Sequence, residues 1–366
     1  MQQWHVDVEH ELPTHIVATL SYVGSKGTHL GRQRDLNQLQ PLPASMNPYQ
    51  PGEAISSADC NSLKNIGDPN VTGVVNGKAV TGQAAINLQT ACQNTADPYR
   101  PYYGIESITR LEDKASSIYN ALQFSARRNV GALSLSVAYT YSHSLDDASD
   151  RYSASDFVNS YNIARDRATS NFDQRHLLNL SYIYDLPFFK KPGLVHTALG
   201  GWQWSGIVAF STGIPLNITN GTTYSDNAGV GKGGGGTASY PDLVGNPRAG
   251  VPPQGDLSLG SDAFFQYNPA AFAVPTGLTF GTVSRNSLVA PNRTNFDMAL
   301  FKHFAIKEQT AFEFRLEAFN VFNHSEWTAP SNLAMKATDG SPDGGFLEVG
   351  GAHLARIVQL GAKLIF

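Results

Sequence analysis

From Leu133 to Ser142 the chain alternates: Leu133, Leu135, Val137, Tyr139 and Tyr141 lie on one side of an extended backbone, and Ser134, Ser136, Ala138, Thr140 and Ser142 on the other. A side-chain period of two marks a β-strand whose two faces meet different surroundings. The pattern recurs in segments of about ten residues, the length of a tilted strand that crosses a bilayer. Trp4, Val6 and Val8 oppose His5, Asp7, Glu9 and Glu11; Ala18, Leu20 and Tyr22 oppose Thr19 and Ser21; Leu122, Phe124 and Ala126 oppose Gln123, Ser125 and Arg127. Further on, Leu178, Leu180, Tyr182 and Tyr184 oppose Asn179, Ser181 and Asp185, and Trp202, Trp204, Val208 and Phe210 oppose Gln203, Ser205 and Ser211. Phe296, Met298 and Leu300 oppose Asn295, Asp297 and His303; Phe312, Phe314, Leu316 and Ala318 oppose Glu313, Arg315 and Glu317. The chain ends with Val358, Leu360, Ala362, Leu364 and Phe366 against Gln359, Gly361 and Lys363.

Alternation alone also fits a soluble sandwich, with one face on a core and the other in water. The connections separate the two readings. Residues 12–15, 129–132, 187–200 and 305–310 make short connections, residues 25–114, 143–173, 213–293 and 323–351 make long ones, and the two kinds alternate. Compact soluble domains rarely carry structureless loops beyond about 12–15 residues. An outer-membrane barrel has tight periplasmic turns and long outer loops. The chain therefore reads as all-β, a partial antiparallel outer-membrane barrel of about nine strands set in outer-membrane lipid. With the long loops outside, Trp4, Tyr22, Tyr139, Tyr141 and Phe322 fall at the outer interface, and Tyr182, Tyr184, Trp202, Trp204 and Phe366 at the inner one. Two aromatic girdles are what amphipathic rings form at lipid headgroups. An odd, open set of strands exposes edges that lipid does not tolerate, so the expectation is the end of a larger barrel.

Composition narrows the function. Charged residues are 15% of the chain, against about 25% in ordinary soluble domains. A net charge of −4 gives no electrostatic case for nucleic acid. No apolar run reaches about 18 residues, which excludes membrane helices but not barrel strands. The opening MQQWHVDVEHEL has neither a basic n-region nor an apolar h-region, as expected of a fragment rather than of an export precursor. Cys60 and Cys92 both lie in a polar, turn-rich stretch; they form either one disulfide of an oxidising compartment or two unrelated thiols. Neither has a second Cys or a His at zinc-ligand spacing.

Catalytic and cofactor motifs are missing. The glycine run from Gly229 to Gly236 contains Gly231-Lys232 with no Ser or Thr after the lysine, and reads as a flexible loop rather than a phosphate cradle. Asp146, Asp147 and Asp150 lack EF-hand spacing and read as a solvated loop, with a weak calcium site as the alternative. No nucleophile elbow, HExxH or CxxC occurs, so no enzyme, no cofactor and no metal is expected. His143 and His176 flank one outer loop; they read as rim residues, with a meeting across strands as the alternative. Glu313, Arg315 and Glu317 share one face of a strand and are expected to line the lumen.

Several stretches resemble Oar-like TonB-dependent receptors of the acidobacterial type. They are MQQWHVDVEHELP, ATLSYVGSKGTHL, YNALQFSARR, LSVAYTYSHSLDDASD, NFDQRHLLNLSYIYDLP, GGWQWSGIVAFSTGIPL, RTNFDMALFKHF, FEFRLEAFNVFNH and LGAKLIF, in family order. The resemblance implies a barrel of about 22 strands, of which these are the last. It also implies a plug and TonB box ahead of them, neither of which is found in this sequence. Active uptake of an unidentified ligand, coupled to TonB through the plug, follows as the expected function. Val358, Leu360, Leu364 and Phe366 resemble the C-terminal signal read by the barrel-assembly machinery, which captures a free strand edge. The alternatives are a smaller adhesive or structural barrel and a secreted β-sandwich that binds carbohydrate. Placing charge in lipid by Leu135→Arg is expected to block insertion, at about 2–4 kcal/mol.

Overall fold

The computed structural model describes residues 1–93, 95–150, 158–191, 193–231, 239–253, 264–307, 310–335 and 345–366. Nine long strands pair in chain order into one antiparallel sheet. They are β1 (Gln2–Leu12), β2 (Ile16–Asp35), β3 (Thr109–Val130), β4 (Leu133–Asp146), β5 (His176–Asp185), β6 (Trp202–Ser211), β7 (Arg293–Lys307), β8 (Thr310–Phe319) and β9 (Ile357–Ile365). A two-residue strand, Ala168–Thr169, adds to β4. The sheet is not closed: among the described residues β1 and β9 each have one neighbour.

The register carries one apolar face across the whole sheet. Ala18 stands opposite Ala126, Ala126 opposite Val137, Val137 opposite Leu180, Leu180 opposite Val208, and Val208 opposite Phe296. The other face repeats the arrangement with polar and small residues, Thr19, Ser125, Ala138, Asn179, Ala209 and Asn295 in successive partnership. A slip of one residue in any pair would reverse one strand's faces, and none occurs where the pattern is strict. The apolar rows meet no second layer: Val8 is 66% exposed, Leu20 49%, Leu122 44% and Leu360 70%. That exposure contradicts the sandwich alternative, in which those rows would pack on a core. No described helix is long and apolar enough to cross a membrane.

Two of the short connections are tight turns. Val130 pairs with Leu133, and Gly131 at φ +73° supplies the left-handed first position of a two-residue hairpin. Thr14 and His15 take left-handed φ without glycine; the Arg128 Nε donates to the Thr14 carbonyl at 2.9 Å and holds that turn.

Strand length differs from the expected ten or so residues. β2 has 20 residues and β3 has 22, so the first outer loop runs over 36–108 rather than 25–114. The alternation fades after Gly24, where the strands carry buried polar side chains such as Arg32 and Glu112 instead of an apolar row. Register shifts at Gly27 and Leu30 interrupt them there, and polar pairs such as Arg32 opposite Glu112, at 2.9 Å, take over.

The described parts of the long loops, which now run over 36–108, 147–175, 212–292 and 320–356, form a folded cap at one end of the sheet. The first holds two helices, α1 (Ser57–Asn61) and α2 (Gly82–Gln93), and the hairpin Thr72–Val75 with Lys78–Thr81. A third helix, α3 (Leu194–Leu199), sits in the inner connection between β5 and β6. Loop 212–292 is the hub. Its Ile218, Tyr240, Phe272 and Val283 pack with Val158 of the second loop and Met335, Phe346 and Leu347 of the fourth. Its Leu278 joins Leu63, Val71, Val75 and Leu88 of the first loop.

Candidate functional site: the hollowed inner face and the outer cap

The polar face of the sheet is hollowed. A depression of about 470 Å³ crosses β4 to β8, lined by Ser136, Ser181, Ser205, Asp297 and Glu317 together with Ile183, Ile207 and Phe319. Small hydroxyl side chains leave room, and two carboxylates give the hollow a negative rim. Ile183, Ile207 and Phe319 break the polar-inward rule and remain 46%, 55% and 43% exposed. A single apolar residue on a polar row carries no periodic signal, so none of the three stands out in the sequence. Only the register shows that Ile207 stands opposite Asp297 and that the three side chains share one concavity.

Glu313, Arg315 and Glu317 fall on the same polar face. The Arg315 guanidinium donates to the Glu313 carboxylate and lies 5.4 Å from the centre of the Phe301 ring. Glu313 stands between His303 and Lys363, its cross-strand partners. The Gln359 amide donates to Glu317 at 3.2 Å. On the opposite face, Val358, Leu360 and Leu364 of the edge strand β9 point away from the hollow, and Phe366 ends the chain 92% exposed.

The girdles follow from the same register. Tyr139 and Tyr141 meet His176, the Tyr139 hydroxyl at 2.8 Å from its Nδ1. His143 does not join His176; it hydrogen-bonds Asp173 and Arg175 instead. At the other end Tyr182 packs edge-on to Trp204. Two glycines serve the rings directly. A Cβ on Gly24 would lie 2.3 Å from Trp4, and one on Gly206 would lie 2.6 Å from the Tyr182 hydroxyl, so each aromatic fills the gap its cross-strand glycine leaves.

Two sequence readings need correction in the cap. Asp146 and Asp147 are not a solvated loop: they are 3% and 9% exposed, Asp146 pairs with Arg285, and Asp147 with Arg167 at 3.0 Å. Each acid thus already has a fixed cation, and no described cluster of acids, His or Cys has metal-ligand geometry. Arg285, 2% exposed, also donates to the Asp166 and Asp146 carbonyls at 2.9 and 3.0 Å, and to Ser149. One guanidinium therefore staples the hub loop to the second loop and to the top of β4. Nothing in the sequence around Arg285 announces this.

The glycine run is the second correction. Its start is a packing element rather than a flexible loop. At Gly229 a Cβ would come 1.8 Å from the Asn87 carbonyl oxygen, and at Gly231 2.1 Å from Ala96. The hub loop presses its backbone against α2 there, and the buried Asn87 amide donates to the Gly229 carbonyl at 2.8 Å. Residues 232–236 of the run lie outside the described residues. Cys60 and Cys92 are bonded and join α1 to α2. Tyr49, buried beside the Asp59 carboxylate at 3.1 Å, has its hydroxyl pKa pushed well above the ordinary phenol range, by burial first and by that charge second.

Residues 1–359 match the family described as the outer membrane beta barrel domain. The chain belongs to that family, and its place is the outer membrane. Among solved structures it is similar to the outer membrane transporter YddB from Escherichia coli, at 9% identity and a TM-score of 0.38, over 100% of this chain and 32% of that one. A comparison with curated proteins finds no match.

Proposed function

We propose that this chain is wall and outer cap of a TonB-dependent receptor of the Oar-like type, which takes up a ligand across the outer membrane. The observation that carries the reading is the joining of a lipid-facing sheet with open edges to a hollowed polar face under folded outer loops. Unpaired strand edges are costly in lipid, so the sheet fits as an arc of a larger wall, with the lumen on the hollow's side. A plug held against Ile183, Ile207 and Phe319 supplies the apolar partner those side chains lack. Coupling to TonB passes through that plug, and ligand selection belongs to the cap. The free edge of β9, with Val358, Leu360, Leu364 and Phe366, is the stretch offered to the barrel-assembly machinery. No covalent chemistry is assigned to any residue, and the protein acts without a cofactor.

Epistasis tests this reading. A strain lacking the gene and a strain lacking TonB are grown on a panel of scarce nutrients, alone and combined. The expected result is a shared defect that the double deletion does not deepen. A defect of the gene deletion that the TonB deletion does not share overturns TonB coupling.

A further inference from the structure

The inner connection between β5 and β6 is tied to the lipid side of the wall. Lys302 stands in the apolar rows, opposite Trp202 and Phe314, yet it is 3% exposed. Its ammonium donates to the Ala198 carbonyl at 3.0 Å and to the Gly200 carbonyl. It also lies 5.2 Å from the Trp202 ring centre and 4.8 Å from that of Phe304. Those carbonyls close the C-terminal end of α3, where unpaired C=O groups gather partial negative charge. A lysine that starts among lipid-facing side chains and ends on α3 places the end of the helix on that same side, next to the inner girdle.

The helix leaves its own apolar residues unused. Leu194 is 89% exposed, Val195 56% and Leu199 55%, and Phe188 and Phe189 just ahead of it are exposed too. Lys190 and Lys191 are exposed beside them. His196 Nδ1 hydrogen-bonds the Phe189 carbonyl at 2.6 Å and holds the two aromatics to the helix. Exposed apolar groups with lysines, continuous with a face that meets hydrocarbon, have the chemistry of an interfacial segment.

We propose that α3 with Phe188 and Phe189 is an in-plane anchor in the periplasmic phospholipid leaflet. The apolar side chains enter the headgroup–acyl boundary, and Lys190 and Lys191 meet lipid phosphates. Lys302 fixes the depth of the anchor by tying the end of the helix to the wall.

Nitroxide labels test the proposal on the full chain in vesicles of phosphatidylethanolamine and phosphatidylglycerol. Labels go on Leu194→Cys and Leu199→Cys, with Leu180→Cys in the wall as the lipid reference and Tyr103→Cys in the cap as the water reference. The expected result is that both α3 labels collide more often with oxygen than with a water-soluble nickel chelate, as the Leu180 label does. Lys302→Met is expected to shift them toward the Tyr103 value while the Leu180 label in the same background stays unchanged. Water-like accessibility at both α3 positions overturns the anchor. So does shielding from both reagents, which would mean that a protein, a second copy of this chain included, covers the helix.

Discussion

The wall and the cap of this protein obey opposite rules with the same residue types. In the wall, Val8, Leu20 and Leu360 point outward and stay exposed; in the cap, Ile218, Met335 and Phe346 are fully buried. The wall draws its internal order from backbone ladders that satisfy every strand except at its two edges, and leaves its apolar rows for lipid. The cap stands in water and must hide its own apolar area, so it builds small cores and staples them with buried polar side chains. One chain thus solves folding twice, once against hydrocarbon and once against water.

Substitutions break or sharpen that contrast. The largest effect is expected at Arg285→Leu, which strands Asp146 in the cap interior and costs about 3–5 kcal/mol. Limited proteolysis should then cut the outer loops while the wall stays protected, and loss of the wall at the same time would disprove their independence. Leu88→Ala opens a cavity in the first-loop core at about 2–5 kcal/mol, read as faster hydrogen exchange across α2. Leu135→Arg places a charge in lipid at about 2–4 kcal/mol, and the variant should be lost from the membrane fraction. Normal insertion would mean that Leu135 does not face hydrocarbon. Replacing Cys60 and Cys92 by alanine frees a loop of 32 residues' separation. The cap should lose about 2–4 kcal/mol, measured as protease sensitivity between α1 and α2 with insertion unaffected. The smallest effect is expected at Leu20→Ala. Its side chain already lies in the lipid-facing row, so urea unfolding in detergent should shift by less than about 1 kcal/mol.

Much of the wall was legible because each strand's surroundings repeat every second residue. The apolar rows read from Leu133–Tyr141, Leu178–Tyr184 and Phe312–Ala318 are the rows that the register joins. The upper halves of β2 and β3 were not legible, since buried polar pairs such as Arg32 with Glu112 replace the apolar row while the backbone ladder continues. Lys302 hid in the same way. A lone cation in an apolar row looks like an error until α3 is seen to supply its carbonyls.

In the cap the sequence showed length and polarity but no partners. Arg285 meets Asp146 across 139 residues of chain, and no local pattern encodes such a distance.

What the sequence determined by itself was the pair of faces, the order of long and short connections and hence the membrane setting, because these follow from local periodicity. What only the tertiary structure decided was the hollow around Ile183 and Ile207, the Arg285 staple and the seat of α3 on the wall. Each of these depends on which distant segments meet, and contact between distant segments is set by packing rather than by any one stretch of sequence.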